Sequence, residues 1–264
     1  MAADEKDKQP DAVSSVQKVF GILQALSEER DHGITELAQR LMMSKSTVYR
    51  FLQTMKALGY VAQEGESEKY SLTLKLFEVG SNALQHSDLI RSADVHMREL
   101  SRLTKETIHL GALDDDSVVY VHKIDSLYNL RMASRIGHRN PLHSTALGKV
   151  LLAWRSREEV NAILERMTFT INTANTLPDA GALREALGQV RAQGYGEDNE
   201  EQEVGVRCIA VPVFDRFGVA VAGLSLSFPT LRFSASNKQQ YVTLLREAGQ
   251  RLSSELGYTG NDVG

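Results

Sequence analysis

The sequence of 264 residues holds one cysteine, Cys208, one tryptophan and five prolines. A single thiol excludes an internal disulfide framework and a zinc site made of cysteines alone, and it suits a reducing cytosol. No stretch approaches the roughly 18 uninterrupted apolar residues that a membrane-spanning helix needs. The N-terminal MAADEKDKQPDAVSS has no apolar core of the kind a secretory leader carries, so a cytoplasmic location is expected. Positive charge is not in excess either: 30 Lys and Arg stand against 34 Asp and Glu, a net charge of −4. That excludes a basic coat over the whole molecule but leaves room for a local basic face. HExxH, GxSxG, Walker and GxGxxG patterns are also missing. What is there is ordinary globular composition, 42% hydrophobic and 24% charged. At about 150 residues per domain, the length holds two domains.

Residues 1–12 read as a disordered polar tail, 13–72 as a helical and then strand-like unit, and 73–87 as a linker helix. A larger alternating unit follows over 88–259, and 260–264 form a second tail. Ser14 with Gln17 makes a capping box for a first helix, whose Val16, Val19, Phe20, Leu23 and Leu26 form one apolar stripe. Thr35 caps a short second helix that places Leu37, Ala38 and Leu41 inward. Met42-Met43-Ser44 is the turn. Ser44 caps a third helix that buries Val48, Phe51, Leu52, Met55 and Leu58 before Gly59 stops it. Tyr60–Gln63 and Lys69–Leu72 alternate as a hairpin. Helix, helix, tight turn, helix and hairpin is the order of a winged helix-turn-helix.

With its apolar side committed to a core, the third helix presents Lys45, Ser46, Tyr49, Arg50 and Gln53, with Ser44 at its start and Thr47 beside them. From Leu37 to Gln63 the chain carries Arg40, Lys45, Arg50 and Lys56 and no acid. Such a patch supplies charge for DNA phosphates, and hydroxyl, phenol and amide groups reach phosphates or base edges in the major groove. A solvated helix face with no partner is the plainer alternative, and the preceding helix and turn weigh against it. The wing tip carries Glu64, Glu66 and Glu68, which phosphate repels, so Lys69 is its one plausible contact and the wing is expected to add little.

In the larger unit, Asp88 caps a helix to about Lys105, and Thr107–Leu113 with Val118–Ile124 form a hairpin. Leu130–Ile136 is expected as a further strand, and Ser144 as the cap of a helix running through Trp154. Ser156 with Glu159 makes a capping box, and Asp179 starts another helix. Arg207–Phe214 and Val219–Ser227 form a second hairpin, with Pro212 at an edge or bulge. Asn237–Leu256 closes the unit as a long amphipathic helix. Antiparallel strands with helices on their faces make this an α+β sandwich of sensor type. His109 and His122 read as strand filler. A Ser144–His143 triad has no local pattern behind it, and a metal site from His143, Cys208 and Asp198 needs distant segments to converge. A small anion pocket is more economical: Ser144 and the first turn of its helix offer free N–H groups, Ser225 and Ser227 repeat on one strand face, and Asp198 accepts from ligand hydroxyls. Alternation leaves open whether Ser225 and Ser227 face such a pocket or water.

Gly194, Asp198, Glu201, Cys208, Ile209, Ala210, Val213, Phe214 and Asp215, together with Pro141-Leu142-His143-Ser144-Thr145-Ala146-Leu147-Gly148-Lys149, resemble the signature of the IclR family of bacterial transcription regulators over roughly 13–259. VSSVQKVFGILQAL, MMSKSTVYRFLQTM and GESEKYSLTLKLFE resemble the branch of that family that represses pectin degradation and responds to 2-keto-3-deoxygluconate. The resemblance implies an N-terminal winged helix, a linker helix used in dimer formation, and a GAF-like effector-binding domain. It implies operator DNA and a 2-keto acid as partners in a homodimer or dimer of dimers; the missing motifs add the expectation of no cofactor, no metal and no catalysis. By position, the family's effector contacts fall on Met132, Ala146, Leu147, Asp198, Val206, Cys208, Ser225 and Ser227. Ala146 stands where some relatives have glycine, and Leu147 where some have a smaller residue, which reshapes the pocket. Three alternatives remain at this point: a keto-acid enzyme with an accessory helical domain, a protein-interaction module that uses its helix-turn-helix as a docking surface, and an activator of the same type for another small carboxylate.

Overall fold

The computed structural model of the chain describes residues 13–28, 31–65, 67, 69–85, 88–130 and 132–260, without side chains at 81–85 and 88. The tail expected at 1–12, residues 261–264 of the second tail, and Glu66 and Glu68 of the wing tip lie outside the described residues. Two compact units divide the chain, residues 1–86 and 87–264. No helix among the described residues is long and apolar enough to cross a membrane.

The first unit runs α1 (Ser14–Glu28), β1 (His32–Gly33), α2 (Ile34–Arg40), α3 (Lys45–Ala57), β2 (Val61–Gln63), β3 (Lys69–Leu72) and α4 (Leu74–Gln85). Ile22, Ala25, Leu26, Leu37, Ala38, Val48, Leu52, Met55, Val61 and Tyr70 are buried together. Helices this short are marginal alone; about 1.5–3 kcal/mol for each large apolar side chain buried holds them in place. The strands pair antiparallel in the order β1-β3-β2, so the wing has a third strand that two residues of His-Gly gave no means of foreseeing. Two expectations for α1 need correction. Its buried side is Ile22, Ala25 and Leu26, while Val16 and Phe20 of the expected stripe are 49% and 61% exposed. Ser14 lies inside the helix, because Val13 O already accepts from Gln17 N. In α2 the N-cap is Gly33 rather than Thr35, with no side-chain cap bond. Ser44 caps α3 as expected, its Oγ accepting from Thr47 N at 3.2 Å. Gly59, at φ +82°, ends that helix in the left-handed region that glycine enters without strain. Leu58, expected inside, is 56% exposed.

The second unit contains α5 (Asp88–Thr104), β4 (Thr107–Asp114), β5 (Ser117–Ile124), β6 (Arg139–Pro141), α6 (Ala146–Ala153), α7 (Arg157–Arg166), α8 (Ala180–Gln193), β7 (Gly196–Asn199), β8 (Val206–Phe214), β9 (Ala220–Pro229) and α9 (Ala235–Glu255). The strands form one antiparallel sheet in the order β6-β5-β4-β9-β8-β7. The two-residue period of the strands separates two faces. Ile108, Leu110, Ile209, Val211, Leu224, Leu226 and Phe228 pack against Met97 and Leu100 of α5 and Leu245 and Leu252 of α9. The opposite face meets α6 and α8 through Val150, Leu151, Leu187 and Val190. There the sheet is bare at Gly111 and Gly223, where a Cβ would stand 2.9 and 2.7 Å from the Leu147 side chain. Gly148 is tighter still, since its Cβ would meet Leu142 O at 2.3 Å. α6 therefore lies directly on the strands.

Three local expectations in this unit are corrected. Leu130–Ile136 is not a strand: Leu130 and Ile136 are each 54% exposed, and side chains hold the backbone, Lys123 Nζ donating to Ser134 O at 2.5 Å and Arg232 to Leu130 O at 3.3 Å. The strand that follows β5 is β6 instead. Thr145, not Ser144, caps α6, with its Oγ1 accepting from Gly148 N at 3.1 Å. The final helix begins earlier than expected, capped by Ser234. The Ser156–Glu159 capping box and the Asp179 cap are both present. Pro212 lies past Ala210, the last residue of β8 that β7 pairs, so the proline occupies a locally open edge.

Candidate functional site

Two surfaces gather the residues singled out in the sequence, one in each unit. On α3, Lys45, Ser46, Tyr49 and Arg50 are exposed, Tyr49 by 52%. At its N-terminus the Ser44, Ser46 and Thr47 hydroxyls cluster, Ser44 Oγ lying 3.0 Å from Ser46 Oγ and 2.8 Å from Thr47 Oγ1. Gln53 is half-buried, and its amide donates to the hydroxyl of the core residue Tyr70 at 3.0 Å, which ties the helix to β3. The basic patch is smaller than the sequence count suggests. Arg40 pairs with Glu28, and Lys56 donates to Gln63 Oε1 at 2.9 Å. Lys69, the one wing contact expected, is held by Asp31 at 2.8 Å, and that carboxylate raises its ammonium above the ordinary lysine value. Lys45 and Arg50 keep their charge unpaired among the described residues.

In the second unit Met132, Ala146, Leu147, Asp198, Val206, Cys208, Ser225 and Ser227 all line one cavity of about 160 Å³. Strand register explains the convergence. Asp198 of β7 pairs with Cys208 of β8, and Cys208 pairs with Ser227 of β9, so one row across the sheet carries all three. Ser225 pairs with Ala210 on one side and with His109 of β4 on the other. Ser225 and Ser227 thus face the cavity, not water, because the sheet is covered on both sides. Ala146 and Leu147 enter from the first turn of α6, seated by the glycines beneath it. Ser144 does not line the cavity; its hydroxyl donates to Gln202 Oε1 at 2.5 Å.

His109, set aside as filler, belongs to the wall. It is almost fully buried, with Nε2 2.7 Å from Ser134 Oγ and Nδ1 3.4 Å from Ser227 Oγ. A bulge where β4 meets β5 brings Tyr120 to the same face, stacked on His109 at 4.3 Å between centroids. Burial pushes the His109 imidazole down to about 3, so it is neutral at physiological pH. Tyr120, Ser134, His138, Asn140, Gln202 and Glu203 add polar lining that sequence reasoning missed, since only strand register and a bulge bring these segments together. The Cys208 thiol donates to Ser227 Oγ at 3.2 Å, and burial raises its pKa well above the ordinary range.

Asp198 is 2% exposed. Its Oδ1 accepts from the backbone N–H groups of Glu201 at 2.7 Å and Gln202 at 3.3 Å. Burial outweighs those bonds and pushes the carboxyl up to about 7. Behind it Lys149 of α6 is buried and donates to both Glu201 oxygens, at 2.6 and 2.7 Å. His143 takes no part in the cavity: its Nε2 faces Thr170 O at 3.1 Å, so it does not join Cys208 and Asp198. No group of three metal-ligating side chains is assembled among the described residues.

Residues 15–65 match the model of the IclR helix-turn-helix domain, and residues 81–254 match that of the C-terminal domain of bacterial IclR transcriptional regulators. The chain belongs to the IclR family. It is 72% identical to the HTH-type transcriptional regulator KdgR of Escherichia coli over 98% of each chain. The crystal structure of the C-terminal domain of E. coli KdgR superposes with a TM-score of 0.61 at 64% identity, covering 65% of this chain and 99% of that one. The IclR protein of Thermotoga maritima gives a TM-score of 0.79 at 31% identity, over 94% of this chain and all of that one. This IclR-family chain is thus a DNA-binding transcription regulator with a small-molecule effector domain, and the keto-acid enzyme alternative falls.

Proposed function

We propose that this regulator represses genes for the breakdown and transport of pectin-derived 2-keto-3-deoxygluconate, and that the keto acid releases it from its operator in the cytoplasm. The observation that carries the reading is the convergence of eight residues from separate segments on one cavity. Its volume of about 160 Å³ lies below the roughly 300–1,000 Å³ of pockets for drug-sized ligands and suits a small metabolite. Ser225, Ser227 and the first-turn N–H groups of α6 donate to oxygen acceptors, as a carboxylate and a keto group require. Similarity to KdgR supports the same compound class.

Ser44, Lys45, Ser46, Thr47, Tyr49, Arg50 and Gln53 form the DNA face. Lys45 and Arg50 contact phosphate or guanine, Ser46 and Tyr49 neighbouring groups, while Gln53 fixes the helix through Tyr70. Two copies joined through the linker helices read half-sites about one helical turn, roughly 34–36 Å, or a multiple of it apart. Effector binding acts by favouring the arrangement with lower operator affinity, with a coupling of about 1–3 kcal/mol. Reciprocity makes this checkable. In fluorescence anisotropy with operator DNA obtained by binding-site selection, 2-keto-3-deoxygluconate lowers operator affinity, and operator lowers keto-acid affinity by the same factor. Ser225→Ala with Ser227→Ala keeps operator binding and loses the response. Release of that double variant by the ligand would place the effector elsewhere.

A further inference from the structure

Read as an anion site, the cavity offers its ligand no lysine or arginine, and its second imidazole, His138, is exposed to water. Among the described residues its ionisable lining consists of the carboxyl groups of Asp198 and Glu203, the imidazoles of His109 and His138, the Tyr120 phenol and the Cys208 thiol. The ammonium of Lys149 is spent on Glu201, and Lys123, which shares the face of His109, is paired with Asp125 at 2.7 Å. His109 is neutral, and the Cys208 thiol and Tyr120 phenol hold their protons. Glu203 is exposed and can turn its charge to water; Asp198, 2% exposed, cannot. A 2-keto acid is fully ionised near neutrality. Seating it beside an ionised Asp198 would bury two like charges in about 160 Å³, countered only by the partial charge of the α6 N-terminus.

Resting on the reading of this cavity as the keto-acid site, we propose that the effector binds together with one proton, carried by Asp198, which meets the ligand as a carboxylic acid donor and not as a carboxylate acceptor. The geometry permits it. Oδ1 stays on the Glu201 and Gln202 N–H groups, and the Cys208 thiol, which keeps its own proton, lies within hydrogen-bonding reach of the carboxyl, so Oδ2 is the oxygen to bear the added proton. The Lys149–Glu201 pair beside it is neutral as a unit, so it neither supplies the missing charge nor forces Asp198 to ionise. Asp198 becomes a determinant of ligand class: acids are admitted at the cost of a proton, which an uncharged sugar of similar size would not need.

Isothermal titration calorimetry of the full chain with 2-keto-3-deoxygluconate, in buffers of differing ionisation enthalpy, counts the protons. Uptake is expected to approach one per ligand above pH 8 and to fall toward zero by pH 6. The Kd is expected to be flat below about pH 7 and to rise up to about tenfold per pH unit above it. Asp198→Asn keeps the oxygen that accepts both backbone N–H groups, and it is expected to bind without uptake and with a pH-independent Kd. Measurable binding with no uptake at any pH would overturn the proton linkage while leaving the keto-acid site standing. Uptake that persists in Asp198→Asn would assign the proton to another lining group, His138 or His109, and overturn it too. No binding at any pH from 6 to 8.5 would remove the site and this inference together.

Discussion

The two units handle charge in opposite ways. On α3, Lys45 and Arg50 are exposed and have no ion-pair partner among the described residues, while in the second unit the buried Lys149 is matched by Glu201, and the buried Glu106 by Arg232 with two contacts of 2.6 Å. Exposure keeps a cation cheap to maintain and free to displace the counterions of a polyanion, so affinity comes from charge and is lost with salt. Burial makes an unmatched ion expensive, so recognition there falls to neutral donors such as Ser225 and Ser227. A regulator that must answer to both DNA and a metabolite separates the two chemistries in space.

The contrast breaks most visibly at Lys149. Lys149→Met strands a 7%-exposed Glu201 and is expected to cost about 3–5 kcal/mol in denaturant unfolding of the second unit. Adding Glu201→Leu recovers most of that loss if burial, and not the lost side-chain volume, is the cause. The exposed side is sharpened by Lys45→Ala with Arg50→Ala. Each lost phosphate contact lowers the slope of log K against log salt by about 0.9, so the pair lowers it by roughly 1.8 and weakens operator binding at least tenfold at low salt. An unchanged slope would show that neither side chain meets a phosphate. The smallest effect belongs to the wing. With Lys69 already held by Asp31, neutralising Glu64, Glu66 and Glu68 together as Gln is expected to leave operator affinity unchanged or modestly raised in the same assay. Weaker binding would mean that the wing works by something other than charge.

Legibility in the sequence followed how local each determinant is. α3 was readable from its 3.6-residue period and the Ser44 cap, both contained within a few turns of chain. α1 was half readable: period gave the helix, but Val16 and Phe20 continue an apolar stripe outside the core, and no spacing rule says where the core ends. Ser144 and Thr145 are equally good caps by type. The choice between them is made by Gln202, 58 positions away, which takes the Ser144 hydroxyl. β7 is four mostly polar residues, Gly-Glu-Asp-Asn, and becomes a strand only by pairing with β8. In the cavity, family resemblance supplied positions, and strand register accounts for why they meet. His109 carried no local mark at all, because its place depends on contacts with Ser227, 118 positions away, and Ser134, 25 positions away.

The bare strands at Gly111 and Gly223 set how low the helix bearing Ala146 and Leu147 can rest. A methyl group at Gly223 meets Leu147 first, and one at Gly111 meets Val118 and Leu147, so either has to displace the Leu147 side chain or shift the helix that carries it. The seat of Leu147 in the chamber wall is thereby set from beneath, through two positions that a comparison of lining residues alone would pass over.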